Sequence, residues 1–179
     1  MYESQPSLQA TSDTALAAPC DAKGDVSPLS KLLALHPEIE LIELDEDVPT
    51  SEIAAEVFGM DISNVAKTLI IKTGNAEVVA LVLRGNDRID QPAVKAVINC
   101  KKFRFCTAEE TLALTSYPAG GIPPIGLGPL VPRVVVDSLV MQKEWVVGGG
   151  GARPKLIKIT PALIAQLSSA IVADISSTV

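Results

Sequence analysis

The sequence predicts an α/β or α+β domain built on a mixed sheet, and three observations carry that prediction. Helix and strand signals follow one another irregularly, with both hairpins and longer crossovers, which calls for antiparallel and parallel pairing in one sheet. Hydrophobic residues make up 47% of the 179 residues but aromatics only 3%, so Val, Ile, Leu and Ala must fill the core. The strand candidates are near-continuous aliphatic runs, the pattern of strands covered on both faces, so helices are expected to flank the sheet. A chain of this length can bury one ordinary core, and it contains no internal repeat.

The elements can be justified in order. Residues 1–25 are rich in Ser, Ala, Thr and Asp and read as a poorly ordered tail. They lack the basic start and apolar stretch of a secretory signal, so residues 26–179 are expected to form the single folded domain. "SPLSKLLALHP" starts with Ser27 as N-cap and Pro28 at the first helical position, and stops before Pro37. "IELIEL" suits a strand over 39–44. "TSEIAAEVFG" reads as a helix capped by Thr50 and ended by Gly59, with Ile53 and Val57 on one face. Two β-branched runs around Thr73-Gly74-Asn75 make a hairpin. Asp90 and Pro92 open another helix, "KKFRFC" is a short strand, and Thr107 with Glu110 forms a capping box. "RVVVD", "EWVVGG" and "KLIKI" are three further strands, and "TPALIAQLSSAIV" closes the chain as a helix capped by Thr160.

Composition removes most familiar chemistries. The net charge is −6, which argues against wrapping a nucleic acid over a broad surface but not against contact with a few phosphates. Cys20, Cys100 and Cys106 have no metal-ligand spacing and cannot all pair, as in a reduced, cytoplasmic protein. The lone His36 ends a helix, where a cap or surface role is ordinary; no two-His zinc site, GxSxG elbow or P-loop is present. No apolar run approaches the roughly 20 residues needed to span a bilayer, so no membrane role is expected. The glycines at 148–151 lack a dinucleotide pattern and read as a strand-end turn.

Three features remain. "GGIPPIGLGP", Gly120 to Pro129, packs four glycines and three prolines into ten residues. Proline removes freedom where a flexible tether would keep it, so the run reads as a rigid loop with a fixed backbone path. Lys67 sits in an apolar strand, "NVAKTLIIK", where a lysine ordinarily snorkels to solvent. Asp137 ends "VPRVVVD", a position that by itself suits a turn residue.

Together and in this order, "VAKTLII", "VLRGNDRID", "TSYPAGGIPPIG", "VVVDSLV" and the later glycine cluster resemble the YbaK/ProX-type aminoacyl-tRNA editing domains. These are free-standing relatives of the editing insertion of bacterial prolyl-tRNA synthetases. The resemblance runs from about Thr50 to Ala170. It implies a mixed, partly barrel-like sheet surrounded by helices. It also implies a trans-editing deacylase that hydrolyses the ester of mischarged tRNA carrying Cys, Ala or a similar small amino acid, with tRNA-Pro as a natural carrier. The family lysine matches Lys67, and the G-x-x-x-P loop matches Gly120 to Pro124, with Gly121, Ile122 and Pro123 inside and Gly126 just beyond. The later acidic position matches Asp137, expected to hold Lys67, a water or the substrate amine. No cofactor or metal is implied; the partners would be the 3′ acceptor end of tRNA and an aminoacyl-tRNA synthetase.

An aminoacyl ester is already activated, so a positioned water and backbone N–H groups facing the developing oxyanion can suffice. Two departures leave the amino acid open among Cys, Ala and Ser: Ile125-Gly126-Leu127 lacks the histidine of many relatives, and "IELIELDEDVPT" lacks a tyrosine that some carry. Two other readings stay open: a non-catalytic module binding the acceptor end or a protein, and an esterase for small esters. Lys95, Lys101, Lys102 and Arg104 form a basic cluster that would meet two or three phosphates near the 3′ end.

Overall fold

The computed structural model describes residues 27–177; the expected tail over 1–25 lies outside the described residues. Helix α1 (Pro28–Leu35) begins as its sequence requires, with Ser27 Oγ accepting from the Ser30 N–H. Strand β1 (Glu40–Glu43) leads to α2 (Ser51–Phe58), capped by Thr50 and ended by Gly59 at φ +58°. A 3₁₀ turn (Ile62–Asn64) feeds the hairpin β2 (Val65–Thr73) and β3 (Val78–Arg84). Short β4 (Arg88–Ile89), α3 (Gln91–Val97), β5 (Phe103–Phe105) and α4 (Ala108–Thr115) follow, the last with both arms of the Thr107–Glu110 capping box formed. The Gly/Pro loop then leads to β6 (Arg133–Asp137), α5 (Ser138–Met141), β7 (Val146–Gly149), β8 (Lys155–Ile159), α6 (Pro161–Ser168), β9 (Ile171–Ala173) and β10 (Ser176–Ser177).

The main sheet is mixed, in the order β1-β8-β7-β2-β3-β6-β9, with β5 pairing β2 beyond the reach of β7. β2 runs parallel to β7 and antiparallel to β3, and β3 runs parallel to β6. Strands β1 and β9 end the path without meeting, so the curved sheet stays open. β3 is buried from Val78 to Leu83, and its alternate side chains feed two separate cores. Ala80 and Val82 join Ile70, Ile125, Val136 and Ile164 on one face. Val79, Leu81 and Leu83 join Ile71, Val94 and Val135 under α3 on the other. Continuous aliphatic runs therefore mark strands covered on both faces, as the sequence implied. No helix among the described residues is long and apolar enough to cross a membrane.

One local expectation needs correction and two gain detail. Ile53 and Val57 share one face of α2 as expected; that face is 38% and 53% exposed, and α2 buries Ala54 and Ala55, small residues that let it lie close to β2 and β7. The last helix stops at Ser168, with Ser169 at φ +49°, and "IVA" becomes an edge strand parallel to β6. Gly148 and Gly149 end β7, as the strand reading of "EWVVGG" has it, and Gly150 and Gly151 follow at the bend beyond it.

Candidate functional site

The site arises where β2 changes neighbours. β7 pairs with β2 only at Val65 and Ala66, and β5 only from Ile71 to Thr73. Over Lys67 to Leu69 neither strand covers that edge, and a cleft of about 230 Å³ opens there. Its walls include Thr50 at the start of α2, Lys67 and Thr68 of β2, Gly120 and Ile122 of the Gly/Pro loop, and Gly148 of β7. The structure thus brings together the lysine and the loop that the sequence singled out separately.

Lys67 is half-buried, and its ammonium donates to the Gly85 carbonyl at 3.1 Å and the Asp87 carbonyl at 2.5 Å. Burial lowers its pKa below the ordinary lysine value, while the charges of Asp87 and Glu52 oppose that shift. The two carbonyls converge because the 84–87 turn is clamped. The fully buried Asp87 carboxylate accepts from Arg84 Nε at 2.7 Å and Nη2 at 3.0 Å, a bidentate pair. Gly85 fits between Ile62 and Ser51, where a Cβ would lie 2.8 Å from the Ile62 carbonyl oxygen. Sequence reasoning missed this clamp, although Arg84 and Asp87 stand in the "VLRGNDRID" stretch.

The loop is fixed by contacts along its length. Gly120 has φ +88°, and a Cβ there would sit 2.9 Å from the Pro49 carbonyl oxygen, so conformation and space both demand glycine. Gly121 donates to the Pro118 carbonyl and accepts from the Gly151 N–H. Ile122 lines the cleft, whereas Gly121, Pro123, Pro124 and Gly126 do not. These four support the path instead: Pro123 is buried, Pro124 packs over Gly148, and the Gly126 carbonyl accepts from the Tyr117 hydroxyl at 2.9 Å. A Cβ on Gly149 would fall 2.4 Å from the Ile122 carbonyl oxygen. The glycines of β7 therefore let the loop lie directly on the strand. Glycine inside a strand is the signal for such an approach, and it was available in the sequence.

Asp137 does not join this cleft. It is 1% exposed, its Oδ1 accepts from the Leu139 N–H at 2.9 Å and its Oδ2 from the Ile175 N–H at 2.9 Å. The expectation that it holds Lys67 is corrected: Lys67 is held by backbone carbonyls, and both Asp137 oxygens are engaged in capping α5 and tethering the C-terminal segment. Thr68 is a residue the sequence did not single out. It is 93% buried and lines the cleft, and its hydroxyl has no hydrogen-bond partner among the described residues. The described residues contain no cluster of three or more His, Cys, Asp or Glu suited to a metal ion.

Comparison with known proteins gives the family. The family described as aminoacyl-tRNA editing domain matches residues 45–167. The "Putative Cys-tRNA(Pro)/Cys-tRNA(Cys) deacylase EbsC" of Enterococcus faecalis is 26% identical over 132 residues, which are 74% of this chain and 80% of that one. A proline–tRNA ligase of Solidesulfovibrio magneticus is 30% identical over 155 residues, 82% of this chain but 26% of the ligase. The crystal structure of hypothetical protein APE2540 superposes with a TM-score of 0.78 at 29% identity, covering 84% of this chain and all of that one. With the lysine, the Gly/Pro loop and the glycine-lined strand meeting in one cleft, the chain belongs to the aminoacyl-tRNA editing domain family.

Proposed function

We propose that the cleft hydrolyses the ester joining a small amino acid to the 3′ end of a mischarged tRNA, releasing free amino acid and tRNA. The observation that carries this reading is the meeting of Lys67 with Gly120 and Ile122 across a space of about 230 Å³. Sites for drug-sized ligands begin near 300 Å³, so this volume suits a small aminoacyl group and the edge of its ribose. Cys, Ala and Ser all fall in that class, and the deacylase named for a Cys-tRNA among the relatives supports including Cys.

In this reading water attacks the ester carbonyl, its proton passes to solvent or the substrate amine, and the ribose oxygen leaves with a proton. Lys67 has three N–H donors, of which two are taken by carbonyls, so one direction and the positive charge remain for the substrate. That charge stabilises the developing oxyanion or the terminal phosphate. The Gly120–Pro124 loop positions the ester through its backbone, and its packing on β7 means little reorganisation accompanies the reaction. Asp137 acts at a distance, by holding the fold.

The test is a panel of tRNAs mischarged with Cys, Ala and Ser, assayed beside a small free aminoacyl ester. Hydrolysis of at least one mischarged tRNA, with the small ester turned over far more slowly, is the expected result. Equal turnover of the free ester points to a general esterase. Binding of aminoacyl-tRNA without hydrolysis points to a non-catalytic module, and either outcome overturns the proposal.

A further inference from the structure

A second surface lies beyond the cleft along the same strand. β5 pairs only with β2, and the run that leads into and through it, Lys101-Lys102-Phe103-Arg104-Phe105, interleaves cations with rings. Phe105 is 49% exposed and meets Phe103 edge-on, with ring centroids 6.2 Å apart. Two adjoining depressions flank this strand and share Gly74 and Lys102. The larger, about 630 Å³, carries Lys95, Lys101 and Lys102; the smaller, about 330 Å³, carries Lys72, Lys102 and Arg104.

The charges here are arranged at a cost. The β2–β5 register sets Lys72 directly opposite Arg104, and like charges in that position destabilise a sheet. Arg104 is neutralised by Glu110, whose pKa is drawn down to about 2 chiefly by that guanidinium. Lys72, Lys95, Lys101 and Lys102 form no ion pair among the described residues, although the chain as a whole carries −6. Three unpaired lysines, Lys95, Lys101 and Lys102, precede a strand that bears an exposed ring, and Lys72 stands on the other face of the same β2–β5 edge; in an acidic protein this edge fits a polyanion whose flat groups can stack. A nucleic-acid strand has both properties, since cations follow its phosphates and aromatic side chains stack on its bases.

We infer that this surface binds the RNA strand leading away from the esterified 3′ end, with the lysines on phosphates and Phe105 against a base. The inference rests on the cleft being the ester site. The spacing supports it. Leu69 still lines the cleft and Lys72 opens the basic surface, three residues or about 10 Å further along β2; Lys67 to Lys72 is about 17 Å. Stacked nucleotides rise about 3.4 Å each, so these lengths correspond to about three to five nucleotides. The lysines thus fall where the unpaired acceptor end joins its stem. Compared with the cluster read from sequence, Lys72 replaces the neutralised Arg104 as a phosphate contact.

The experiment compares wild type with Lys95→Glu/Lys101→Glu, its milder counterpart Lys95→Gln/Lys101→Gln, and Phe105→Ala, each first checked for an unchanged melting curve. Lys102 is spared because its stem packs on Gly74. For the Glu pair, KM for aminoacyl-tRNA should rise tenfold or more with kcat and small-ester turnover unchanged. The salt slope of log(kcat/KM) should fall by about 1.4, that is about 0.7 for each of two lost phosphate contacts. Phe105→Ala should raise KM without changing that slope. Unchanged KM and slope in the Glu pair, or in the Gln pair if the former fails to fold, overturn the inference. Direct binding of an uncharged acceptor-stem hairpin RNA keeps the two readings apart. If wild type binds it and the lysine variants do not, the surface stands even where hydrolysis is absent. Equal binding by wild type and variants overturns it, whatever other partner the lysines hold.

Discussion

Replacing Asp137 separates a structural carboxylate from a catalytic one. In Asp137→Ala the N–H groups of Leu139 and Ile175 lose their acceptors inside a region where Asp137 is 1% exposed and Ile175 fully buried. Hydrogen bonds to a charged acceptor contribute about 1.5–3 kcal/mol each, so losing both should cost about 3–6 kcal/mol. At about 2–4 °C per kcal/mol for a chain of this size, melting should fall by roughly 6–24 °C. Asp137→Asn keeps one carbonyl acceptor but turns an NH₂ toward the other N–H, so about half of that loss is expected. Melting curves by circular dichroism give the magnitude. Hydrogen exchange should localise the loosening to Leu139 and residues 171–177, where Ser138 Oγ also bonds the Asp174 carboxylate. Deacylation at a temperature well below melting should stay within about threefold of wild type. An Asp137→Asn protein with unchanged melting and a hundredfold loss of kcat/KM would refute this reasoning and return Asp137 to the reaction.

Lys67→Ala should fold normally and lose about 10² or more in kcat/KM, the scale for removing one oxyanion-stabilising group. Because burial lowers the Lys67 pKa, background-corrected kcat/KM should fall as pH rises through a value below the usual lysine range. Lys67→Arg, always charged, should lack that alkaline limb, and Asp87→Asn, which removes a charge that raises the Lys67 pKa, should move it to lower pH; a limb unmoved in both variants excludes Lys67 as its source. Gly120→Ala combines φ +88° with a Cβ 2.9 Å from Pro49 O and should cut kcat/KM about a hundredfold, whereas Gly128→Ala, at φ +81° with only Pro28 nearby at 3.9 Å, should lose some stability but keep activity. Equal activities for this pair would remove the loop from the site. Thr68→Val deletes an unpartnered buried hydroxyl, so melting should stay level or rise while KM rises if that hydroxyl meets the substrate; a lowered melting point would show that the hydroxyl is satisfied within the free protein.

The helix starts were legible because each cap is a local device. Ser27, Thr50, Asp90, Thr107 and Thr160 all accept from the backbone N–H that the sequence pattern assigns them. The β2–β3 hairpin was equally plain, since two aliphatic runs flank a short polar turn. Edge strand β9 was not, because Ile171 and Val172 extend the apolar pattern of α6 and only the left-handed Ser169 breaks it. Lys67 and the Gly/Pro loop, which line one cleft, were singled out by residue type and order. Their contacts were not, because Gly85, Asp87 and Gly149 act through backbone atoms brought together only by the sheet. Asp137 misled for the same reason: a carboxylate at a strand end reads alike whether it faces a ligand or caps the helix that follows.

The electrostatics of the cleft turn on how Asp87 divides its two functions. Its carboxylate is spent on Arg84, and only its backbone carbonyl reaches Lys67. A lysine held by carbonyl dipoles keeps its net charge, whereas a direct carboxylate partner would cancel it. Arg84 therefore fixes the turn and also screens the Asp87 charge from the lysine beside it. The result is a positive centre, oriented without a counter-ion bonded to it, in a protein of net charge −6. Such a centre favours an oxyanion more strongly than a neutral ester, and that difference between transition state and ground state is what lowers a barrier. Arg84→Gln should then do harm in two ways, freeing the turn and leaving the buried Asp87 carboxylate to compete for Lys67. Its kcat should fall further than that of Asp87→Asn, in which the charge is gone as well. If the two variants lose kcat equally, only the geometry of the turn matters.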